Sequence, residues 1–108
     1  MPNFGITSDG PRTFFVQGEL DLATTPLMSM AIAGSVSRGG PISIDLTSVT
    51  FMDSTGVSAI LRALAALPSG CIVLHGVHHL VQKVLDLMGV GQAPNLHIIP
   101  CELGGLAA

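Results

Sequence analysis

A strand that passes directly into a helix constrains this chain more than any other feature of its sequence. Ile42, Ile44 and Leu46 alternate with polar residues, which is the period-two pattern of a strand. The pattern becomes helical after residue 53, so we expect a helix to begin at Ser54. Apolar residues occupy one side of this helix, and small, mostly polar residues occupy the other. The apolar side holds Val57, Ile60, Leu61, Leu64 and Leu67, and the other side holds Thr55, Ser58, Ala59 and Arg62.

Asp53 and Ser54 stand where the strand ends and the helix begins, and this pair has two interpretations. Both residue types cap helices, because their side-chain oxygens accept unpaired backbone N–H groups of the first turn. A helix N-terminus also favours negative charge, so a phosphate on a serine there would be tolerated by the fold. Residue types and position alone favour the capping role but leave both interpretations open.

The order of motifs around this pair resembles the anti-sigma factor antagonist branch of the STAS family. The similar residues are Ile44-Asp45-Leu46, the run VTFMDSTG at 49–56, and Gly18-Glu19-Leu20-Asp21 upstream. The similarity extends over nearly the whole chain. In that family the serine of the D-S-[ST]-G element is phosphorylated by the anti-sigma factor, which is itself a serine kinase. The resemblance therefore assigns phosphorylation to Ser54.

The resemblance also implies partners and a switch. The unphosphorylated protein would bind the kinase-type anti-sigma factor and release its sigma factor, phosphorylation would end that binding, and a phosphatase would reset the serine. The expected surroundings of the phosphorylated serine are Asp21, Asp53, Thr55 and Gly56, and the expected partner surface comprises Ser54, Thr55, Ser58, Ala59 and Arg62. The alternative is a phosphate-independent STAS scaffold or an accessory subunit of a membrane transport system.

Length and composition bound the class of protein. The 108 residues fit one domain, 1–108, with a loose tail expected at 102–108 because of its paired glycines. Hydrophobic residues make up 48% and charged residues only 10% of the chain, yet no apolar run is long enough to span a membrane. The first twelve residues do not resemble a signal peptide, so a cytoplasmic location without membrane insertion is expected.

Charge and cysteine content narrow the class further. The net charge is −3, and the four basic residues are scattered, so a nucleic-acid-binding surface is not expected. Cys71 and Cys101 have neither the spacing of a zinc site nor a secretory context, and we expect two buried free thiols.

The remaining elements predict an α/β fold with a mixed sheet of about five strands and helices packed on it. Two strands are expected at 3–8 and 12–17, and a helix from about residue 25 to 36 with Thr25 as cap and Pro26 as its first residue. A buried strand at 71–75, a helix at about 77–88 capped by Gly89, and a strand at 96–99 follow. The predicted inward residues of the first helix are Leu27, Met28, Ala31, Ile32 and Val36, with Met30 as further core filler.

Enzymatic and metal chemistry find little support in the sequence. His75, His78 and His79 have a metal-like spacing, but their predicted positions do not place three imidazoles on one face. Ser54 has no recognisable base, and neither the G-x-S-x-G elbow nor a nucleotide-binding glycine motif occurs. We therefore expect no catalytic residues, no metal and no cofactor.

Overall fold

The computed structural model describes residues 4–101, in which strands and helices alternate after an initial hairpin. A short 3-10 helix, Val90–Gln92, precedes the last strand. The strands are β1 Phe4–Ser8, β2 Thr13–Leu20, β3 Ile42–Met52, β4 Ile72–Val77 and β5 Leu96–Pro100, and the helices are α1 Thr25–Arg38, α2 Ser54–Ala66 and α3 His79–Leu87.

The five strands form one mixed sheet in the same order as they occur in the chain. β1 and β2 are antiparallel, and β2 to β5 are parallel neighbours. Each parallel step is connected by a helix, and such connections are right-handed in nearly all proteins. Three successive right-handed steps in one direction place all three helices on the same face of the sheet. The α/β class with a five-stranded mixed sheet is thereby confirmed.

The core lies between that helical layer and the sheet. Along β2, Phe14, Val16 and Leu20 are buried, while Phe15 and the polar residues between them are exposed. This alternation follows from the two-residue period of a strand, which gives one face to the helices and leaves the other open. The expectation of one apolar face on α2 also holds, since Val57 and Ile60 are buried and the three leucines of that face pack against the core: Leu61, Leu64 and Leu67.

Helix α1 differs from its predicted packing. Met28 and Ile32 are buried as expected, but Met30 is 75% exposed, and Leu27 and Ala31 also face outward, so these three assignments were wrong. The helix has no charged residue before Arg38, and in such a uniformly uncharged segment the inward face cannot be chosen from polarity.

The start of α1 lies one residue earlier than expected. Thr24 is the N-cap residue and Thr25 the first helical residue, so Pro26 occupies the second position. The N–H groups of the first turn have no acceptor within the helix, so a proline at this position costs no hydrogen bond.

Two further boundaries were shifted in the second half of the chain. Val77 belongs to β4, and α3 begins at His79 rather than at residue 77. The predicted capping glycine is confirmed, because Gly89 follows the end of α3 with a left-handed backbone (φ 69°).

The two cysteines lie at opposite ends of the sheet. Cys71 immediately precedes β4, and Cys101 immediately follows β5, which runs parallel to it. Five residues of strand span about 16 Å, whereas the Cα atoms of a disulfide lie within about 7 Å. Both thiols are free, as expected, but they are half-buried rather than buried.

Within residues 4–101, no helix combines the length and apolarity needed to cross a membrane.

Candidate phosphorylation site

The site lies at the carboxyl ends of β2 and β3, which are adjacent and parallel. The Asp53 N–H donates to the Leu20 carbonyl at 3.2 Å, and this bond ties the end of one strand to the end of the other. The loops that lead into α1 and α2 therefore start side by side. Ligand and recognition sites of open α/β sheets commonly form at this edge.

Asp53 is the N-cap of α2 and uses one oxygen for two bonds. With an extended backbone (φ −109°, ψ −172°), its Oδ1 accepts the Thr55 N–H at 2.9 Å and also the Thr55 hydroxyl. The predicted capping role of Asp53 is thereby confirmed. The same contacts occupy the Thr55 hydroxyl, so the two adjacent hydroxyls of this motif have different surroundings.

Ser54 is the first residue of α2, and its side chain is exposed. The Asp53 carbonyl accepts the N–H groups of Gly56 (3.1 Å) and Val57 (3.4 Å), while the Asp53 side chain accepts that of Thr55. Among the described residues, only the N–H of Ser54 itself lacks an acceptor in the first turn of α2. A phosphate on Ser54 would therefore find one unused backbone donor there, fewer than a bare helix N-terminus offers.

Gly56 permits the close approach of α2 to the strand ends. A Cβ atom at this position would lie 3.0 Å from Met52 Cγ and 3.3 Å from Leu20 Cβ, closer than ordinary van der Waals contact. The glycine of the D-S-T-G element therefore has a packing role. It lets the first turn of α2, which carries Ser54, lie close to the ends of β2 and β3.

Asp21 lies one residue beyond Leu20, next to the bond that joins the two strand ends. Its Oδ1 accepts the N–H groups of Ala23 (3.0 Å) and Thr24 (3.1 Å). The structure thus gives this carboxylate a local role in shaping the loop before α1. Its participation in the phosphorylation site stays a prediction.

The predicted partner surface is only partly accessible. Ser54 and Arg62 are exposed, and Thr55 and Ser58 are half-buried. Ala59, by contrast, is 3% exposed and belongs to the hydrophobic core, so its assignment to the side of α2 away from the core was wrong, and its contact with a partner stays an untested prediction. The helical repeat explains this, because position 59 lies one turn beyond the buried position 56, on the side of α2 that faces α1.

A cavity of about 300 Å³ opens between the first turns of α1 and α2. Sequence reasoning placed four of its lining residues at the site but missed the three from the α1 side. The only available signal for these was topological, since loops that follow adjacent parallel strands meet at one edge. The residues already expected are Ser54, Thr55, Ser58 and Arg62, and those missed are Leu22, Thr25 and Pro26.

The three histidines lie apart from this site. His75 is in β4, His79 is exposed at the start of α3, and the His78 Nε2 bonds to the Thr47 carbonyl. Within the described part of the chain, no group of three His, Cys, Asp or Glu side chains is placed to hold a metal ion.

This sheet, with a D-S-T-G element at the junction of β3 and α2, defines the class of protein. Residues 8–100 match the family model described as MlaB, STAS domain. The chain belongs to the STAS domain family.

Individual relatives narrow the comparison. The chain is 30% identical over 94 residues to the anti-sigma-B factor antagonist of Listeria monocytogenes, and this alignment covers 84% of this chain and 82% of that protein. The fold of this chain is similar to that of an anti-sigma factor antagonist from Mycobacterium paratuberculosis (TM-score 0.68, 22% identity, covering 87% of this chain and 83% of that chain). It is also similar to the Bacillus cell fate determinant SpoIIAA in its phosphorylated form (TM-score 0.58, 20% identity, 96% and 97% coverage).

Proposed function

We propose that this protein is an anti-sigma factor antagonist whose binding is switched by phosphorylation of Ser54. Its unphosphorylated form binds a kinase-type anti-sigma factor in the cytoplasm and releases the sigma factor that the anti-sigma factor holds. The protein is a substrate of that kinase rather than a catalyst, and a phosphatase returns it to the binding form. The relatives named anti-sigma factor antagonists support this function.

The observation that carries the proposal is the contrast between two adjacent hydroxyls. Ser54 is exposed at the first position of α2, whereas the Thr55 hydroxyl donates to Asp53 and is half-buried. A kinase needs a hydroxyl that can enter its active site and attack the γ-phosphorus of ATP, with ADP leaving. Ser54 offers such a hydroxyl without disturbing the cap of the helix.

Phosphorylation would act through charge at the contact surface. A phosphoserine adds about −1.5 to −2 charges at pH 7, beside a carboxylate and on a chain whose net charge is already −3. A partner that covers the site must remove water from this charge, which costs several kcal/mol unless the partner supplies a cation. A loss of about 3 kcal/mol corresponds to a more than hundredfold weaker complex.

The test combines affinity capture with phosphate mapping. Captured from its native cell extract, the tagged protein should retain a kinase-type anti-sigma factor. That factor with ATP should add one phosphate to the protein, at Ser54. The Ser54→Ala variant should accept none, while the Ser37→Ala variant, which removes an exposed serine of α1, should still be phosphorylated. Full phosphorylation of Ser54→Ala, or capture of transporter components instead, would contradict the proposal.

A further inference from the structure

One residue that lines the cavity beside Ser54 has a polar atom that the fold leaves without a partner. Thr25 is 4% exposed and contributes to the cavity wall, and its Oγ1 is the one buried side-chain N or O atom among residues 4–101 that lacks a hydrogen bond. Buried polar groups in native proteins are nearly always paired. Because Thr25 lines the cavity, its unpaired hydroxyl is a group to which a polar atom in the cavity could bond.

The opposite wall supplies a cation and a second hydroxyl. Ser54, Ser58 and Arg62 are spaced four residues apart and form one stripe of α2 that faces the cavity. The Cα atoms of Arg62 and Ser54 lie about 12 Å apart along the helix axis, but long side chains in helices lean toward the N-terminus. Its guanidinium can therefore approach a group attached to Ser54 across the cavity that both residues line.

We propose that this cavity is an intramolecular phosphate site, which receives the phosphoryl group of Ser54 and holds it with Arg62, Ser58 and Thr25. The proposal rests on Ser54 being the phosphorylated residue. The Ser54 N–H, which has no acceptor among the described residues, is a further donor at the same place. Rotation about χ1 of Thr25 can turn its hydroxyl toward the cavity, and threonine in helices populates two χ1 rotamers.

The site changes what phosphorylation does to the partner surface. Arg62 and Ser58 are exposed or half-exposed in the unmodified protein, where they are available to a partner. Once they hold the phosphate, the surface has gained negative charge and has also lost its nearest cation. One modification then removes an attractive group and adds a repulsive one.

The test requires neither the kinase nor the anti-sigma factor, because phosphoserine can be installed at position 54 during translation. The second pKa of the phosphate is then measured by phosphorus NMR. A nearby cation favours the dianion, so Arg62→Ala should raise this pKa, by about 0.2 to 0.7 unit for a partly exposed pair. Arg38→Ala, at the far end of α1, is the matched control and should leave it unchanged. Asp53 and Asp21, the neighbouring carboxylates, remain in every variant.

Thr25→Val provides a second readout in the same phosphorylated protein. It should lower the melting temperature of the phosphorylated form but not of the unmodified form, since only the former uses the hydroxyl. An unchanged phosphate pKa in Arg62→Ala would overturn the proposal, as would a Thr25→Val effect that is equal in both forms. Either result leaves the binding of an anti-sigma factor to unmodified protein as a separate question, which the capture experiment answers.

Discussion

At the scale of single residues, Asp53 decides how the two hydroxyls of the motif differ. Its Oδ1 holds both the backbone N–H and the hydroxyl of Thr55, and the N–H of Asp53 is fixed by Leu20. Asp53, the residue before Ser54, is therefore fixed both by its bond to the end of β2 and by its place at the end of β3. Of the two roles that the sequence suggested for this pair, the structure gives capping to Asp53, and phosphorylation of Ser54 stays a prediction.

Removing the Asp53 cap should destabilise the domain. We expect Asp53→Ala to lower the free energy of unfolding by about 1 kcal/mol, the usual loss for an N-cap. Asp53→Asn keeps an oxygen acceptor and should lose only a few tenths. Urea denaturation of both variants measures the difference, and equal stability of the two would show that the cap contributes nothing.

Two adjacent threonines before α1 should respond oppositely to the same substitution. The Thr24 hydroxyl donates to the Glu19 carbonyl at 2.6 Å and accepts the Asp21 N–H at 3.0 Å, whereas that of Thr25 has no partner among the described residues. In the unmodified protein, Thr24→Val should cost about 1 to 3 kcal/mol, and Thr25→Val should be neutral or stabilise by up to about 1 kcal/mol. Thermal unfolding of the pair is the measurement, and a comparable loss in both would mean that the Thr25 hydroxyl is bonded.

At the scale of elements, α2 is the helix whose position the site requires, and Gly56 sets that position. The contacts that a Cβ would make with Met52 and Leu20 lie at the junction of β2, β3 and α2. A side chain there would lift the first turn and move Ser54 with it.

We expect Gly56→Ala to destabilise the domain by about 1 to 3 kcal/mol, as overpacking does in a filled interior. Gly34→Ala is the matched control on α1, because a Cβ there meets nothing within 4 Å. Alanine is the better helix former, so this variant should gain about 0.5 to 1 kcal/mol. Chemical denaturation distinguishes them, and a stabilised Gly56→Ala would contradict the packing role.

The helices also show where sequence patterns predict structure well and where they do not. In α2, Val57 and Ile60 define the inner side because polar residues mark the other one. In α1, Met28 and Met30 are chemically identical, and only the tertiary structure distinguishes the buried one from the exposed one. The part of the cavity wall that α1 contributes depends on how the strands pair in the sheet. The periodicity of a single segment carries no information on that pairing.

At the scale of the whole molecule, phosphorylation should leave the fold in place. Ser54 is exposed, and its phosphate gains about 0.3 to 1 kcal/mol from the helix N-terminus, so no core contact has to break. Backbone chemical shifts of the phosphorylated and unmodified proteins should differ only near the first turns of α1 and α2, while affinity for the anti-sigma factor falls. Shifts that spread through all five strands would indicate a conformational switch instead.

The agreement of strand order with chain order has a consequence for synthesis on the ribosome. Every strand after the first pairs with the one made just before it, so no segment must wait for a partner that has yet to be translated. The hairpin of β1 and β2 can serve as the template for β3, and each later strand extends an existing edge. Domain completion is then a vectorial process that ends at β5, and a released chain that stops before residue 96 should form a sheet that lacks only its last strand.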